Sequence, residues 1–202
     1  RNIGPAYMSG RIADIAIDQN NPSTWYTAVG SGGVWKTTNA GTTWEPIFDD
    51  QPVYSIGDVT IAPSNSNIIW VGTGENNGGR HISFGDGVYK SLDGGQTWKN
   101  MGLSKSEHVS DIIIHPTNPD IVWVSAQGPL WSGGGERGLY KTTDGGENWK
   151  QVLKPADKWT GVTSLLIDPR NPDRLYAATW ARQRSIGAYV GTNEGAGIHT
   201  SN

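Results

Sequence analysis

A short turn recurs along this chain, and its recurrence constrains the fold more than any other feature. Complete copies occupy residues 37–44, 91–98 and 142–149, and a fourth begins with Thr200, Ser201 and Asn202. Each complete copy places Ser or Thr first, Asp or Asn third, Gly fifth and Trp eighth. A repeat with a period of roughly 50 residues is typical of a propeller or another repeat array.

Each repeat also contains the segments of four short strands. An alternating apolar run opens the repeat, and a Pro- and Asn-rich turn follows it. A second apolar run carries an aromatic residue, a third begins at Gly, and the repeated turn leads into a fourth. The opening runs are 11–17, 55–61, 109–114 and 162–167; the aromatic residues are Tyr26, Trp70, Trp123 and Tyr176; the glycines are Gly33, Gly87, Gly138 and Gly197.

These segments predict an all-β chain, since no stretch keeps a helical period. We expect a β-propeller built from four-stranded antiparallel blades, with strands a to d running from the centre outward and the repeated turn joining c to d. About four blades are present, and we expect them to form part of a larger ring.

The repeated turn has a structural logic. An Asp or Asn oxygen can accept amide hydrogen bonds within its own turn, and Gly permits the positive φ of a tight hairpin. The Trp then enters the gap between blades as an apolar plug. We therefore predict a structural role for the third, fifth and eighth turn residues: Asn39, Gly41, Trp44, Asp93, Gly95, Trp98, Asp144, Gly146 and Trp149.

The pattern Ser/Thr-x-Asp-x-Gly-x-Thr-Trp resembles the Asp-box, or BNR repeat, of sialidases, xyloglucan-cleaving glycosidases, sortilin (VPS10) propellers and photosystem II assembly propellers. Residues 3–12 and 72–77 are similar to large bacterial secreted proteins with sortilin-like propellers. The resemblance implies a propeller in a secreted, periplasmic or cell-surface bacterial protein. It leaves the activity open, because both enzymes and binding proteins carry the motif.

The repeat boundaries divide the chain into a lead-in, residues 1–9, and a propeller segment, residues 10–202. The blades are expected at about 10–50, 51–103, 104–157 and 158–202, the last without its outer strand. Either the chain is truncated, or residues 1–7 supply that strand and close a four-bladed ring. We favour truncation, because Gly4-Pro5 makes a poor strand and an open propeller would expose a pairing edge.

Composition excludes several classes of protein. The net charge is −3 and the basic residues are dispersed, whereas a nucleic-acid binder usually shows a basic stripe. No apolar stretch approaches the roughly 18 residues of a membrane span. No zinc-site spacing, phosphate-binding loop or nucleophile elbow appears, so we expect neither a metal nor a cofactor.

The binding face is predicted from loop lengths. The c–d turns lie on one face of a propeller, and the b–c and d–a loops lie on the other. The predicted b–c loops are 30–32, 74–86, 127–137 and 181–196. Their lengths differ widely on a constant scaffold, and such loops tend to carry function.

Three tryptophans, Trp131, Trp159 and Trp180, fall at loop positions on this face. Their rings could stack on a sugar or anchor a peptide, or they could cover neighbouring blades beneath the long loops. The polar residues expected to accompany them in ligand binding are Glu75, Asn76, Arg80, Arg137 and Arg182. In the alternative interpretation these polar residues belong to solvated loops.

Catalysis is less well supported. A glycosidase needs two carboxylates beside the scissile bond, and Glu75, Asp86 and Glu136 are weak candidates. In the xyloglucan-cleaving enzymes a catalytic Asp precedes the Gly-Gly that opens strand c of the first blade, and the matching residue here is Gly30. The Arg-Ile-Pro start of sialidases is also altered, since Ala13 follows Arg11-Ile12.

The sequence therefore favours a platform that binds a glycan or a polypeptide and is not itself an enzyme. One alternative is a glycoside hydrolase whose remaining catalytic residues lie outside this segment. Another is an assembly or sorting factor for a protein client. In each case further blades of the same parent chain are expected partners.

Overall fold

The computed structural model describes residues 11–201. They form one antiparallel sheet in each of four consecutive blades, numbered 1 to 4 along the chain, and a separate two-stranded sheet within blade 4. Blade 1 contains β1 (Ile12–Ile17), β2 (Trp25–Val29), β3 (Gly33–Thr37) and β4 (Glu45–Pro46). Blade 2 contains β5 (Ile56–Ala62), β6 (Asn65–Thr73), β7 (Val88–Ser91) and β8 (Lys99–Asn100). A short 3-10 helix (Ser104–Ser106) leads into blade 3.

Blade 3 contains β9 (Val109–Ile114), β10 (Val122–Ala126), β11 (Gly138–Thr142) and β12 (Lys150–Leu153). Blade 4 contains β13 (Thr160–Asp168) and β14 (Asn171–Ala181), then a hairpin of β15 (Gln183–Arg184) and β16 (Tyr189–Val190), then β17 (Gly197–Thr200). Within each blade, neighbouring strands in space are consecutive in the sequence apart from that hairpin. The predicted all-β propeller segment of about four blades is confirmed.

Two sequence predictions fall wholly or partly outside the described residues. The lead-in and the proposed closing strand at residues 1–7 lie there entirely, as does Asn202. The four sheets span residues 12–46, 56–100, 109–153 and 160–200, while the exact blade limits stay a prediction.

Strand pairing corrects the predicted start of the fourth turn. Lys141, the last residue before the third turn, pairs with Trp123. In blade 4 the residue that pairs with the corresponding aromatic, Tyr176, is Thr200. Ser201 rather than Thr200 therefore takes the first position of this turn, and its amide donates to Leu175 O.

Aromatic residues of the second strand hold consecutive blades together. Tyr26, Trp70 and Trp123 are 2%, 0% and 3% exposed. Each lies in an apolar cluster together with residues of the following blade, such as Val59, Ile112 and Leu165 respectively. The core of the molecule is therefore a series of layers between blades, and a large side chain from each blade fills the layer ahead of it.

The repeated turn closes on itself through hydrogen bonds. In the second copy, Asp93 Oδ1 accepts the amides of Gln96 and Thr97, each at 2.9 Å. Ser91 Oγ donates to Asp93 Oδ1 at 2.8 Å and accepts the amide of Gly95 at 2.8 Å. Hydrogen bonds from the Thr97 hydroxyl and amide lower the pKa of Asp93 to about 2. The stabilisation from this carboxylate is present above its ordinary pKa and is lost as the pH falls toward 2.

The second and third turns are also bound to the blade before them. The indole N–H of Trp98 donates to Ile47 O and that of Trp149 donates to Met101 O, both at 2.7 Å. The two rings pack edge-on against aromatic rings of the preceding blade, with centroid separations of 5.2 and 5.9 Å. The tryptophan predicted to fill the gap between blades therefore makes a directional hydrogen bond and also packs apolar surface against the preceding blade.

A lysine of the preceding blade completes this contact. Lys36 Nζ donates to Gly94 O at 2.8 Å, and Lys90 Nζ donates to Gly145 O at 2.9 Å. Both ammonium groups also lie 5.3 Å from the ring centre of the aromatic residue on the neighbouring strand. Such cation–π contacts add attraction between the lysine and the aromatic layer.

We predict that Trp149→Phe lowers the free energy of unfolding by about 1 to 2 kcal/mol, because Phe keeps the apolar contact but leaves Met101 O without its donor. Urea unfolding followed by circular dichroism measures the change. The matched control is Trp44→Phe. Trp44 packs edge-on against Trp25 of its own blade and makes no indole hydrogen bond to another blade within the described residues. Equal losses in the two variants would contradict the inter-blade role.

Candidate functional site

The inner strands bring several polar residues to the rim of the central channel. In blades 1 to 3 the residue after the second strand donates its amide to the residue before the first strand. These pairs are Gly30 and Arg11, Gly74 and Ser55, and Gln127 and His108, at 2.8, 2.6 and 2.9 Å. Blades 1 to 3 thus place these paired residues at equivalent positions along their inner strands, on the face where the b–c loops lie.

Arg11 and Glu75 join blades 1 and 2 at this rim. Arg11 Nε and Nη2 donate to the two oxygens of Glu75, each at 2.5 Å. The Glu75 side chain is 4% exposed and that of Arg11 is 39% exposed. Hydrogen bonding to Glu75 raises the pKa of Arg11. The pair is a fixed carboxylate with a guanidinium that still faces solvent.

Three more contacts fix the backbone and side chain of Glu75. Asn77 Nδ2 donates to Glu75 Oε1, and the amide of Glu75 donates to Ser55 Oγ at 3.0 Å. Glu75 O lies 2.9 Å from Nδ1 of the buried His108. Burial lowers the pKa of His108 to about 3, with the charge of Arg182 as the next cause, so this imidazole is neutral at physiological pH.

Gly30 provides the space that the Glu75 carboxylate occupies. A Cβ atom on residue 30 would lie 2.7 Å from Glu75 Cδ and 2.9 Å from each carboxylate oxygen. No side chain at position 30 can coexist with Glu75 in this position. The glycine that stands where the resemblance places a catalytic Asp is therefore next to a carboxylate that arrives from another blade.

Arg137 lies inside its own loop. It is 3% exposed, and its guanidinium donates to the carbonyls of Gly134, Pro129 and Ser132. It also donates to Gln127 O at 2.5 Å and to Trp159 O at 2.9 Å. Burial lowers its pKa to about 10. The guanidinium organises the loop of blade 3 and ties it to blade 4, and its donors are directed to backbone carbonyls.

Arg182 connects blade 4 to the loop of blade 2. It is 1% exposed, and Nη1 donates to Asn76 O at 3.0 Å and to Asn77 O at 3.2 Å. Burial lowers its pKa to about 10. Asn76 also donates through Nδ2 to Ser110 O at 3.3 Å. Of the polar residues predicted to bind ligand, Glu75, Asn76 and Arg182 are thus brought together, while Arg80 is exposed.

The structure corrects the position of Trp180. In blades 1 to 3 the second strand ends before the rim residue, but in blade 4 the pairing continues for two more residues, to Thr160 and Ala181. Trp180 is therefore a strand residue of β14 rather than a loop residue. It is 40% exposed, and its ring meets that of Tyr189 edge-on at 6.0 Å.

The other two tryptophans do lie in loops. Trp131 follows β10 and is 48% exposed. Trp159 precedes β13 and is partly buried, with Lys158 Nζ at 5.7 Å from its ring centre. Trp131 and Trp180 are the tryptophans on this face with the larger open surface.

The three candidate catalytic carboxylates all have protein partners. Glu75 binds Arg11, as described above. Asp86 Oδ2 accepts the hydroxyl of Tyr89 at 2.7 Å, and Glu136 Oε2 accepts the amide of Lys105 at 2.8 Å. These contacts orient the carboxylates and give each a local structural task.

Sequence analysis missed a row of carboxylates along the channel. Asp14, Asp58 and Asp111 occupy the same position on β1, β5 and β9. Each accepts the backbone amide of the next blade, from Val59, Ile112 and Leu165 at 3.3, 3.1 and 2.8 Å. The signal was present in the sequence, because the three Asp residues align when the opening runs are superimposed. In blade 4 this position is Ser164.

Burial makes two of these carboxylates, Asp58 and Asp111, hard to ionise. It raises the pKa of Asp58 well above its ordinary value, and the charges of Asp111 and Asp14 add to the effect. Burial also raises the pKa of Asp111 to about 6. A raised carboxyl pKa costs stability above that pKa, and the cost disappears as the pH falls below the ordinary value.

We predict that Asp111→Asn stabilises the protein by about 1 to 2 kcal/mol at pH 7.5, because Asn removes a buried charge and keeps an acceptor for Leu165. The difference from wild type should vanish near pH 3, below the ordinary pKa of Asp, where Asp111 is protonated in both the folded and unfolded chain. Urea unfolding at the two pH values measures it. The control is Asp50→Asn, at an exposed position. A destabilised Asn variant at pH 7.5 would show that the charge itself binds the blades.

We predict that Gly30→Ala costs about 1 to 3 kcal/mol of stability, because its Cβ displaces the pinned Glu75 carboxylate. In a Glu75→Ala background the same substitution should cost less than about 0.5 kcal/mol, since the clash is absent. A double-mutant cycle by urea unfolding gives the coupling. Additive losses would mean that the two residues do not compete for this space.

Neither a metal-binding cluster nor a membrane-spanning helix is found among the described residues. Residues 11–201 contain no group of three His, Asp or Glu side chains arranged to hold a metal ion. Over the same range no helix has the length and apolar character that a membrane crossing requires.

Comparison with known proteins identifies the family of this chain. The Sortilin-Vps10 family model, described as sortilin, neurotensin receptor 3, matches residues 86–201, which is more than half of the chain. A xyloglucanase from Paenibacillus sp. is 26% identical over 91% of this chain and 17% of its own length. The chain thus spans about a fifth of the length of the curated relatives that it matches.

Solved structures agree on the fold. A GH74 enzyme from Niastella koreensis superimposes with a TM-score of 0.65 at 21% identity, over 85% of this chain and 26% of the enzyme. YCF48 from Cyanidioschyzon merolae superimposes with a TM-score of 0.54 at 18% identity, over 98% of this chain and 58% of that protein. At these identities the likeness shows the fold alone. The chain belongs to the Sortilin-Vps10 family and is a sortilin-like propeller segment related to xyloglucanases.

Proposed function

We propose that this segment binds a glycan on the face formed by its b–c loops, within a protein that is secreted or exposed at a bacterial cell surface. The observation that carries the proposal is the open ring of Trp131, 48% exposed on the b–c loop of blade 3. A flat aromatic surface beside fixed hydrogen-bonding groups suits a pyranose ring, which has apolar faces and a polar edge.

The rim supplies the fixed polar groups. Arg11 keeps part of its guanidinium open to solvent while Glu75 holds it in place. A donor positioned in this way loses little side-chain entropy when a sugar hydroxyl binds, and this favours affinity. The names of the curated relatives, which are xyloglucanases, support a glycan rather than a polypeptide as the ligand.

A second candidate function is hydrolysis of the bound glycan by the parent protein. The observation that favours it is the Glu75 carboxylate, which lies against Gly30, the position that the resemblance matches to a catalytic Asp. A base or nucleophile needs a partner acid, and the remaining catalytic residues would come from elsewhere in the parent protein.

We also propose that a further blade of the same parent protein packs against blade 4, on the face of its sheet that points away from blade 3. Tyr176 is 38% exposed, whereas Tyr26, Trp70 and Trp123 at the same position are buried by the following blade. Leu166 and Ile198 of this blade are 66% and 82% exposed. A large contiguous apolar surface of this kind marks an interface.

We expect Trp131→Ala to weaken binding of xyloglucan oligosaccharides by about tenfold, because the stacking surface is removed. Isothermal titration calorimetry on the intact protein measures the affinity, and release of reducing ends in the same samples reports hydrolysis. The control is Leu92→Ala, which removes an exposed apolar side chain from the Asp-box face. Unchanged affinity in the Trp131 variant, or an equal loss in the Leu92 variant, would overturn the proposed face.

A further inference from the structure

Buried polar atoms without partners concentrate near one loop of the binding face. Within residues 11–201 they include Arg182 Nε and Nη2, Arg184 Nε and the hydroxyl of Tyr189. All four atoms belong to Arg182, which follows β14, and to the β15–β16 hairpin. Since buried donors almost always have acceptors in folded proteins, a cluster of four without one calls for a ligand or another explanation.

The hairpin residues form one compact group. The Arg184 guanidinium lies 5.3 Å from the ring centre of Tyr189, and the ring of Trp180 also meets Tyr189 edge-on. The loop of blade 2 closes over the group. A Cβ on Gly78 would lie 2.7 Å from Tyr189 Cζ and 2.8 Å from its hydroxyl oxygen. The absence of a side chain at Gly78 lets the two loops approach this closely.

The charge of this group is not balanced by a carboxylate. The ion pairs among the described residues are Arg11 with Glu75, Lys99 with Glu147, and Arg170 with Asp168. Arg182 uses only Nη1, on the carbonyls of Asn76 and Asn77. A guanidinium that is 1% exposed and has free donors is costly to bury without an anion.

The donor set identifies the chemistry of a ligand. Guanidinium Nε and Nη2 lie side by side and match the two oxygens of a carboxylate. A phenol hydroxyl can add a third donor. Arg184 and Tyr189 are partly exposed, so a ligand can approach the edge of the group from solvent, and the exposed part of Trp180 lies beside it. The four donor atoms themselves are covered, so they must become uncovered when a ligand binds.

We propose that Arg182, Arg184 and Tyr189 form a subsite for the carboxylate of a uronic acid, with the ring of Trp180 beside the sugar. The proposal rests on the glycan-binding function and deepens it, since it names an acidic residue in the glycan. The carboxylate replaces the acceptors that these donors lack, and the adjoining aromatic surface accepts the pyranose ring.

The test compares a galacturonic acid oligomer with its methyl ester, which has the same sugar and length but no charge. Titration calorimetry with the intact protein should show the acid binding at least about tenfold more tightly. Tyr189→Phe keeps the ring contacts and removes the hydroxyl. It should weaken binding of the acid several-fold and leave the ester unchanged, and Arg184→Gln should do the same.

The matched control is Lys154→Gln, which removes one positive charge from an exposed position on the d–a loop after β12, on the same face. It should leave both affinities unchanged. Equal affinity for acid and ester would overturn the carboxylate subsite while leaving the glycan-binding proposal intact, and failure of both sugars and of xyloglucan oligosaccharides would overturn both. Equally tight binding of acetate alone would show a site for a bare anion and would also overturn the uronate assignment.

Discussion

The contact between each Asp-box and the preceding blade is the interaction on which the rest of the structure depends. The turn is closed internally by its Asp or Asn, so it presents a fixed Gly carbonyl and a fixed Trp to its neighbour. Trp149 donates to Met101 O and Lys90 donates to Gly145 O, one bond in each direction between blades 2 and 3. Reciprocal bonds set both the angle and the height of one blade on the next. The apolar layer around Trp70 then stabilises the packed blades through burial of apolar surface. Because such burial has no preferred direction, the hydrogen bonds are needed to fix the geometry.

The contacts that hold the blades together and the loops that differ in length are separated in space. The Asp-boxes lie on one face, and the loops that differ in length lie on the other. Blade 1 connects its second and third strands through residues 30–32, whereas blade 4 inserts a whole hairpin, β15–β16, at the same place. Because the opposite face holds the blades in position, the loops can change without loss of register. They then stabilise one another through buried arginines, such as Arg137 and Arg182, that cross between blades.

The sequence was sufficient to predict what depends on local chemistry. The residues of the three complete turns, the strand periods and the limits of the b–c loops in blades 1 to 3 follow from side chains that act within a few residues of one another. Contacts between distant residues were not predictable in this way. Glu75 looked like an available carboxylate until its partner, Arg11, proved to lie on another blade. Arg137 looked like a ligand contact, but carbonyls of its own loop surround it. The position of Trp180 on a strand depends on extra pairing in blade 4 that the repeat pattern does not encode.

The Gly30–Glu75 contact shows why likeness to xyloglucanases does not transfer their activity to this chain. Residue 30 has no side chain, and the space beside it holds a carboxylate already bound by Arg11 and Asn77. A carboxylate in a bidentate pair with arginine is held as a hydrogen-bond acceptor, so it can accept a sugar hydroxyl or act as the base or nucleophile of a catalytic pair. Any acid would have to come from another part of the parent protein. The same pairing leaves the Arg11 guanidinium partly exposed at the channel mouth. The rim is therefore equipped to hold a polar ligand in either case, and catalysis is the additional property that a second carboxylate would have to provide.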